Sequence, residues 1–297
     1  MMTKFIGTGT ALVSPFNAQN EIDVAALKKL VNDNINAGID YLVVLGTTAE
    51  TITLSEQEQQ LVIDTVVAEN RSRVPLVLGM GGSNTLALVT KIKATDFTHF
   101  DAILSVTPYY NKPTQQGLIA HFTAVSQASP IPVILYNVPS RTGVNMLPST
   151  TVAIALKNPN VIGIKEAIGD MNQIAQLLSL KPEGFLVVSG DDATAYQTTL
   201  AGGSGVISVI AQALPAQFSE LINSALKGHS EAANSLNEQL QPLISAIFEE
   251  GNPAGVKALM KLLSGAPLTV RLPLLQASAA LQNKLKAALL TLDTFVA

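Results

Sequence analysis

Lys165 closes an apolar run, Val161-Ile162-Gly163-Ile164, that reads as a short buried strand. An ammonium is costly to bury without a partner, so a lysine at that place calls for a reason. Side chains alternate along a strand, which puts Val161, Gly163 and Lys165 on one face and Ile162 and Ile164 on the other. Gly163 is expected to leave room beside the lysine stem. A lysine desolvated in this way keeps more free amine and can attack a carbonyl to form a Schiff base. The plain alternative is a strand-end lysine whose stem lies on apolar surface while its head reaches water. For Lys165 taken alone that is the simpler reading. A second apolar run, Pro132-Val133-Ile134-Leu135-Tyr136, ends in a phenol. The turn-rich segment after it, Asn137-Val138-Pro139-Ser140-Arg141-Thr142-Gly143, carries a cation. Two consecutive strands ending in a phenol and an amine, with an arginine between, describe an active site at one rim of a parallel sheet.

The elements that must hold this rim alternate from the start of the chain to about residue 228. Strand-like runs stand at Gly7 to Ala11, Tyr41 to Leu45, Leu76 to Leu78, Ala102 to Val106, Val133 to Tyr136, Val161 to Lys165, Phe185 to Ser189 and Gly205 to Val209. They are nearly continuous in apolar residues, as parallel strands buried on both faces are. Helices between them are marked by Ser55 with Glu58 three residues on, a capping box, and by Asp23 ahead of the stripe Leu27, Leu30, Val31 and Ile35. Asn84, Pro148 and Pro215 mark further starts. Eight such units predict an α/β fold, a (β/α)₈ TIM barrel over residues 1–228. A doubly wound open sheet is the alternative. Its dinucleotide loop is only loosely matched by Gly79-Met80-Gly81-Gly82, which lacks the required glycine spacing. After Gly228 the pattern turns to helices alone: His229 to Glu250, Pro253 to Leu263 and Ser278 to Leu292. Residues 229–297 are therefore expected to form a C-terminal helical subdomain.

In such a barrel the active site lies at the C-terminal strand ends. There stand Gly46-Thr47-Thr48-Ala49-Glu50, Thr107-Pro108-Tyr109-Tyr110-Asn111-Lys112-Pro113, Tyr136 with Arg141, Lys165 with Glu166, Gly190-Asp191-Asp192, and Ile207-Ser208. Hydroxyls, phenols, an arginine and a lysine suit carbonyl chemistry on an anionic substrate better than hydrolysis or metal catalysis. Each has a plainer reading. The threonines can cap a helix entry, Tyr109 and Tyr110 can be packing, Arg141 can be a surface residue, and Asp191-Asp192 reads as a helix N-cap.

Composition narrows the field. The 297 residues include no cysteine, which rules out a disulfide scaffold or a thiolate metal site. His99, His121 and His229 are scattered without metal-ligand spacing and read as surface or helix residues, so no metal and no cofactor is expected. A net charge of −4 gives no footprint for nucleic acid. With 47% hydrophobic and 13% charged residues the chain has apolar surface to spare, which fits an oligomer. No secretory h-region and no run of ~18 apolar residues is present; a cytoplasmic protein with no membrane partner is expected.

Four motifs, Gly46-Thr47-Thr48-Ala49-Glu50, Tyr136 to Gly143, Gly163-Ile164-Lys165-Glu166-Ala167 and Ser189-Gly190-Asp191-Asp192, together resemble the dihydrodipicolinate synthase (4-hydroxy-tetrahydrodipicolinate synthase) family of pyruvate-dependent class I aldolases. The resemblance runs through the tail, where Gly251-Asn252-Pro253-Ala254-Gly255-Val256-Lys257 also fits. It implies that Lys165 forms a Schiff base with pyruvate and that Tyr136 shuttles protons. A lone phenol, with a pKa of ~10, is a poor acid near neutral pH. The resemblance supplies a relay through Thr47 and Tyr110, the latter reaching across a dimer interface. Thr48 would bind the pyruvate carboxylate through its hydroxyl and backbone N–H. Arg141 would hold the carboxylate of aspartate semialdehyde with its planar fork, and Gly190 and Ile207 would line the pyruvate pocket. Two positions depart from the family pattern: Ala49 where glycine is usual, and Ile168 where serine or threonine is. If Ala49 needs positive φ, it brings backbone strain.

The implied reaction condenses pyruvate with aspartate semialdehyde on the route to diaminopimelate and lysine, in a homodimer or homotetramer. A sialic-acid or 2-keto-3-deoxy sugar-acid lyase would share Lys165 and Tyr136 but has no need of Arg141. A non-catalytic pyruvate-binding paralogue would be expected to lack the lysine or the tyrosine. The family also implies a lysine-effector crevice, here at Thr51, Ile52, Glu56, Gln59, Ser83, Ala87 and Tyr109. Ala87 and Ser83 stand where the sensitive pattern has a glutamate and an asparagine, so weak or absent lysine feedback is expected unless Glu56 swings in to compensate.

Overall fold

Eight short parallel strands carry the site in the computed structural model, which describes residues 2–228 and 230–292. They are β1 (Gly7–Ala11), β2 (Tyr41–Val44), β3 (Leu76–Gly79), β4 (Ala102–Val106), β5 (Val133–Asn137), β6 (Val161–Glu166), β7 (Leu186–Ser189) and β8 (Gly205–Ser208). Each pairs with the next, and β8 returns to β1, so the sheet closes into a barrel. Closure excludes the open doubly wound sheet. The strand runs read from the sequence hold to within one residue at each end.

The intervening helices are α1 (Val24–Asn36), α2 (Glu56–Asn70), α3 (Thr85–Ala94), α4 (Gln115–Ala128), the single turn α5 (Pro139–Thr142), α6 (Pro148–Lys157), α7 (Met171–Leu180), α8 (Asp192–Leu200) and α9 (Pro215–Leu226). Their starts follow the local chemistry. Asp23 and Asn84 accept from backbone N–H groups of the first turn, and Ser55 with Glu58 closes the capping box in both directions. Pro148 and Pro215 occupy first-turn positions, where a missing N–H costs nothing.

Alternation divides the strand side chains between two apolar clusters. Leu42, Val44, Ile103, Leu135, Ile164 and Val187 face outward and pack with the helices. Val43, Val77, Leu104, Ile134, Tyr136, Val188 and Ile207 fill the barrel interior. Burial on both faces is why these strands read as unbroken apolar runs. The N-terminal end of the barrel is filled by Tyr41. Its ring stands edge-on to Phe5, with centroids 5.6 Å apart, and its hydroxyl donates to the Val206 carbonyl at 3.3 Å.

Strand β6 breaks the simple alternation expected of it. Val133 pairs with Val161 but Ile134 pairs with Gly163, so Ile162 is an extra residue, a bulge. Val161 consequently packs in the outer cluster and Ile162 against the inner one. Beyond the bulge the expected order resumes, with Ile164 outward. Gly163 does not leave room for the lysine, contrary to the expectation. A Cβ there would stand 2.7 Å from Leu186 Cβ, so Leu186 already fills the place.

Past the barrel come α10 (Ser230–Glu249), α11 (Ala254–Ser264) and α12 (Ala279–Leu289), with Pro253 and Ser278 as N-caps. His229, the expected first residue of this region, lies outside the described residues. Leu240, Leu243, Ile247, Val256, Leu259 and Leu285 join the same core as the outer faces of the strands. Among the described residues no helix is long and apolar enough to cross a membrane.

Candidate active site

Pairing of β5 with β6 places Tyr136 and Lys165 directly opposite each other. Both point into the C-terminal mouth of the barrel. Lys165 is 5% exposed, and its Nζ lies 4.6 Å from the centre of the Tyr136 ring. No carboxylate or carbonyl takes a hydrogen bond from that Nζ among the described residues. The glycine that makes room for the stem is Gly190, at the end of β7. A Cβ on Gly190 would fall 2.9 Å from both Cγ and Cε of Lys165. Ile207 lies buried in the inner cluster with Tyr136 and Val188.

Above the lysine opens a cavity of about 540 Å³. Lys165, Tyr136, Thr47, Thr48, Arg141, Thr51, Ile52, Gln59 and Tyr109 line it, together with Asn252, Lys91, Pro273 and Leu274. Arg141 sits on α5, exposed to the cavity and without an ion-pair partner among the described residues. Thr47 and Thr48 open a 3-10 turn, Thr47–Ala49, and neither N–H makes a backbone hydrogen bond. Ala49 lies inside that turn and not at positive φ; the left-handed residue is Glu50, φ +54°. The departure at Ala49 therefore brings no backbone strain.

Sequence reasoning missed what secures this turn. Asn252 Nδ2 donates to Thr48 Oγ1 at 2.9 Å. The Glu50 carboxylate, 1% exposed, takes Lys257 Nζ at 2.7 Å and the Arg271 N–H at 2.8 Å. Burial pulls the Lys257 ammonium down to about 8, against the upward pull of Glu50. The motif around Asn252 and Lys257 is visible in the sequence, but nothing local says what those side chains touch.

Several predicted residues stand outside the cavity. Tyr110 is 93% exposed and makes no hydrogen bond to Tyr136 or Thr47 within the described residues, so the expected relay is not closed within one chain. It is the centre of a γ-turn at φ +72°, closed by Asn111 N–H to the Tyr109 carbonyl at 2.9 Å, a strained conformation. Ser83 is spent holding that turn. Its hydroxyl donates to Tyr109 O at 2.6 Å and accepts from Tyr109 N–H at 3.2 Å. Ala87 and Glu56 belong to the exposed first turns of α3 and α2, away from the cavity lining. Of the histidines, His121 is buried and neutral, its pKa drawn down to about 4 by burial, with Nδ1 2.8 Å from Thr85 Oγ1.

Two buried carboxylates lock the strand ends behind the site. Asp191 is the N-cap of α8, accepting from Ala193 N–H at 3.0 Å. Asp192 does more than cap: it accepts from the N–H groups of Val209 and Ile210 and so ties α8 to the end of β8. Burial pushes its pKa up to about 6. Glu166 points away from Lys165 and accepts from Asn137 Nδ2 at 2.9 Å, Gln173 Nε2 and Ile168 N–H, joining β5 to β6 just beyond Tyr136 and Lys165. Burial pushes its pKa up to about 7.

A raised carboxyl pKa means that the folded state holds a proton the unfolded chain has released. Between pH 4.5 and about 7, Glu166 therefore makes stability fall as pH rises, by about 3 kcal/mol in all, and contributes no slope above that window. Glu166→Gln is expected to remove this slope while the part due to Asp192 remains. Urea unfolding of both proteins at pH 5 and pH 7.5 measures it. An equal pH dependence in the two would show that Glu166 is ionised throughout.

Comparison with known proteins agrees with this geometry. The model of the dihydrodipicolinate synthetase family matches residues 4–292. A 4-hydroxy-tetrahydrodipicolinate synthase of Flavobacterium psychrophilum is 52% identical over 284 residues, 96% of this chain and 97% of that one. A solved monomeric dihydrodipicolinate synthase variant superposes with a TM-score of 0.94 at 37% identity, covering 98% of this chain and 97% of its own. The dihydrodipicolinate synthase of Thermotoga maritima gives 0.93 at 37% identity, over 96% and 98%. By sequence over nearly its whole length and by fold, the chain belongs to the dihydrodipicolinate synthetase family.

Proposed function

We propose that this protein is a Schiff-base-forming lyase, a 4-hydroxy-tetrahydrodipicolinate synthase, that condenses pyruvate with L-aspartate 4-semialdehyde in the lysine and diaminopimelate route. The observation that carries the reading is a buried amine without a hydrogen-bond acceptor among the described residues, Lys165, set beside a phenol in a cavity that also holds Arg141, Thr47 and Thr48. Pyruvate enters with its carboxylate on Thr48, hydroxyl and N–H. Lys165 Nζ attacks the keto carbon, and water leaves as Tyr136 passes it a proton. The imine gives a methyl proton back to the Tyr136 phenolate and becomes an enamine. The enamine carbon attacks the aldehyde carbon, whose new alkoxide takes a proton from the phenol. Arg141 holds the second substrate's carboxylate by a charge-assisted pair of hydrogen bonds. Gly190 and Ile207 shape the floor around Lys165.

The relay from Tyr136 through Thr47 is completed in this reading by Tyr110 of a neighbouring copy. Support comes from the Tyr110 turn, which holds a large apolar ring out in solvent at a backbone cost of about 1–3 kcal/mol. Such strain is sensible where a second chain receives the ring. The working protein is then a cytoplasmic homodimer or homotetramer, with residues 1–228 as the catalytic barrel and 229–297 as the helical subdomain beside it. A sugar-acid lyase gives Arg141 no task, and a non-catalytic paralogue gives none to Lys165 or Tyr136.

The region assigned to a lysine effector is poorly made for one. Thr51, Ile52, Gln59 and Tyr109 line the cavity mouth with Lys91, whose Nζ donates to Gln59 Oε1 at 3.2 Å, while the one carboxylate in the lining, Glu50, is taken up by Lys257 and the Arg271 N–H. A cation there opposes the ammonium groups of free lysine. Glu56 does not line the space and offers no counter-charge.

Three outcomes test the reading. Borohydride with pyruvate is expected to fix an adduct on Lys165, found by peptide mass spectrometry, and Lys165→Ala to abolish it; an adduct on another lysine would overturn the assignment. Arg141→Ala is expected to raise the KM for the aldehyde tenfold or more, a loss of roughly 1.5–3 kcal/mol, with pyruvate trapping nearly unchanged. An equal loss for both substrates would make Arg141 structural. L-lysine titrated into the steady-state assay is expected to leave the rate unchanged below millimolar concentration, and half-inhibition in the sub-millimolar range would contradict the reading of the cavity mouth.

A further inference from the structure

We infer that the helical tail completes the pyruvate site, with Asn252 as the positioning residue that directs the Thr48 hydroxyl proton into the cavity. The inference rests on the proposed assignment of Thr48 to the pyruvate carboxylate. Asn252 joins α10 to α11, 204 residues along the chain from Thr48, yet its Nδ2 donates to Thr48 Oγ1 at 2.9 Å and both side chains are buried. An oxygen that accepts there keeps its own proton to give. No acceptor among the described residues takes that proton. Thr48, Asn252 and Lys165 face the same cavity, so the free O–H is directed at the space a carboxylate beside Lys165 would fill. A threonine hydroxyl rotates freely between donor and acceptor roles; a fixed donor behind it selects one of them before the substrate arrives.

The same part of the tail holds the next residues of the turn. Glu50 follows Thr48 by two residues in the left-handed region, and its carboxylate is gripped by Lys257 Nζ and Arg271 N–H. Lys257 also donates to Ser14 O at 2.8 Å and Thr269 O at 2.7 Å. With Asn252 at Thr48 and Lys257 at Glu50, the turn is fixed at both ends by side chains from the tail. Asn252 Oδ1 is buried without a hydrogen-bond partner among the described residues.

The test reads the pyruvate concentration that half-saturates the borohydride-trapped adduct, beside the KM for each substrate and the thermal midpoint. Asn252→Ala is expected to raise half-saturation roughly three- to tenfold, the loss of one neutral hydrogen bond, while the KM for the aldehyde moves less. Asn252→Asp has nearly the same shape but can only accept. It would take the Thr48 proton and set a negative charge beside the ligand carboxylate, so it is expected to be worse than Asn252→Ala. In a Thr48→Val background, Asn252→Ala is expected to add no further change. Asn252→Asp performing as well as the parent, or an undiminished effect of Asn252→Ala in the Thr48→Val background, would overturn the inference and leave Asn252 structural. Should Asn252→Ala fail to fold, the aspartate variant decides alone, provided its thermal midpoint stays near the parent's. Failure of the parent itself to trap pyruvate would overturn the proposed function instead.

Discussion

A closed parallel barrel has no edge, and that closure decides where chemistry can happen in this chain. Every strand spends its N–H and C=O groups on its two neighbours, so the sheet offers no backbone group to a ligand. The interior is then a column of side chains with two ends. Tyr41 and Phe5 fill the N-terminal end. At the other end the column rises through Val188 and Ile207 to Tyr136 and Lys165, and there the apolar filling stops. The parallel register of β5 and β6 puts the phenol and the amine on adjacent strands at the same height. Their juxtaposition is therefore a consequence of pairing, and Glu166 and Asn137, one residue on in each strand, fasten the two together from behind.

Among the described residues two lysines are buried, and they are treated in opposite ways. Lys257 has a carboxylate and two carbonyls at 2.7–2.8 Å. Lys165 has the face of a tyrosine, and its stem fills the place that Gly190 leaves open. A buried ammonium is tolerated only with strong partners, so Lys257 is set up to remain a charge and to hold structure. Lys165 is given an aromatic face and an open cavity, with no acceptor among the described residues holding its Nζ. The difference separates the two lysines without appeal to position in the sequence.

The barrel was legible because both-face burial writes itself as uninterrupted apolar runs and because helix starts carry their own caps at Asp23, Ser55 and Asn84. The strand-end residues that line the cavity were legible for the same reason: a polar side chain that ends an apolar run stands out. What failed was whatever depends on pairing between strands. The bulge at Ile162 cannot be read from β6 alone, since it exists only against β5. Gly163 and Gly190 look alike as letters, and only the neighbouring strand shows that Leu186 occupies one place and the Lys165 stem the other. Ser83 was placed in a ligand crevice because it stands where the sensitive pattern of the resembled family has an asparagine; its hydroxyl is committed to the Tyr109 backbone, which only the fold reveals. Asn252 was visible as part of a tail motif, but what it touches was not, because its partner is 204 residues away.

That separation also bears on what the tail is for. Its helices share the outer core with the barrel, and its polar residues reach through to the turn carrying Thr47 and Thr48. Without Lys257, the Glu50 carboxylate would be an unpaired charge at 1% exposure. Losing one partner of such a pair costs about 3–5 kcal/mol, against a total stability of about 5–15 kcal/mol for a typical domain. The eight strand-helix units close a barrel, yet the turn at its mouth is finished only when the last helices arrive. Chain order divides the molecule into a barrel and an appendage, whereas the hydrogen bonds around Thr48 and Glu50 make the appendage one wall of the site.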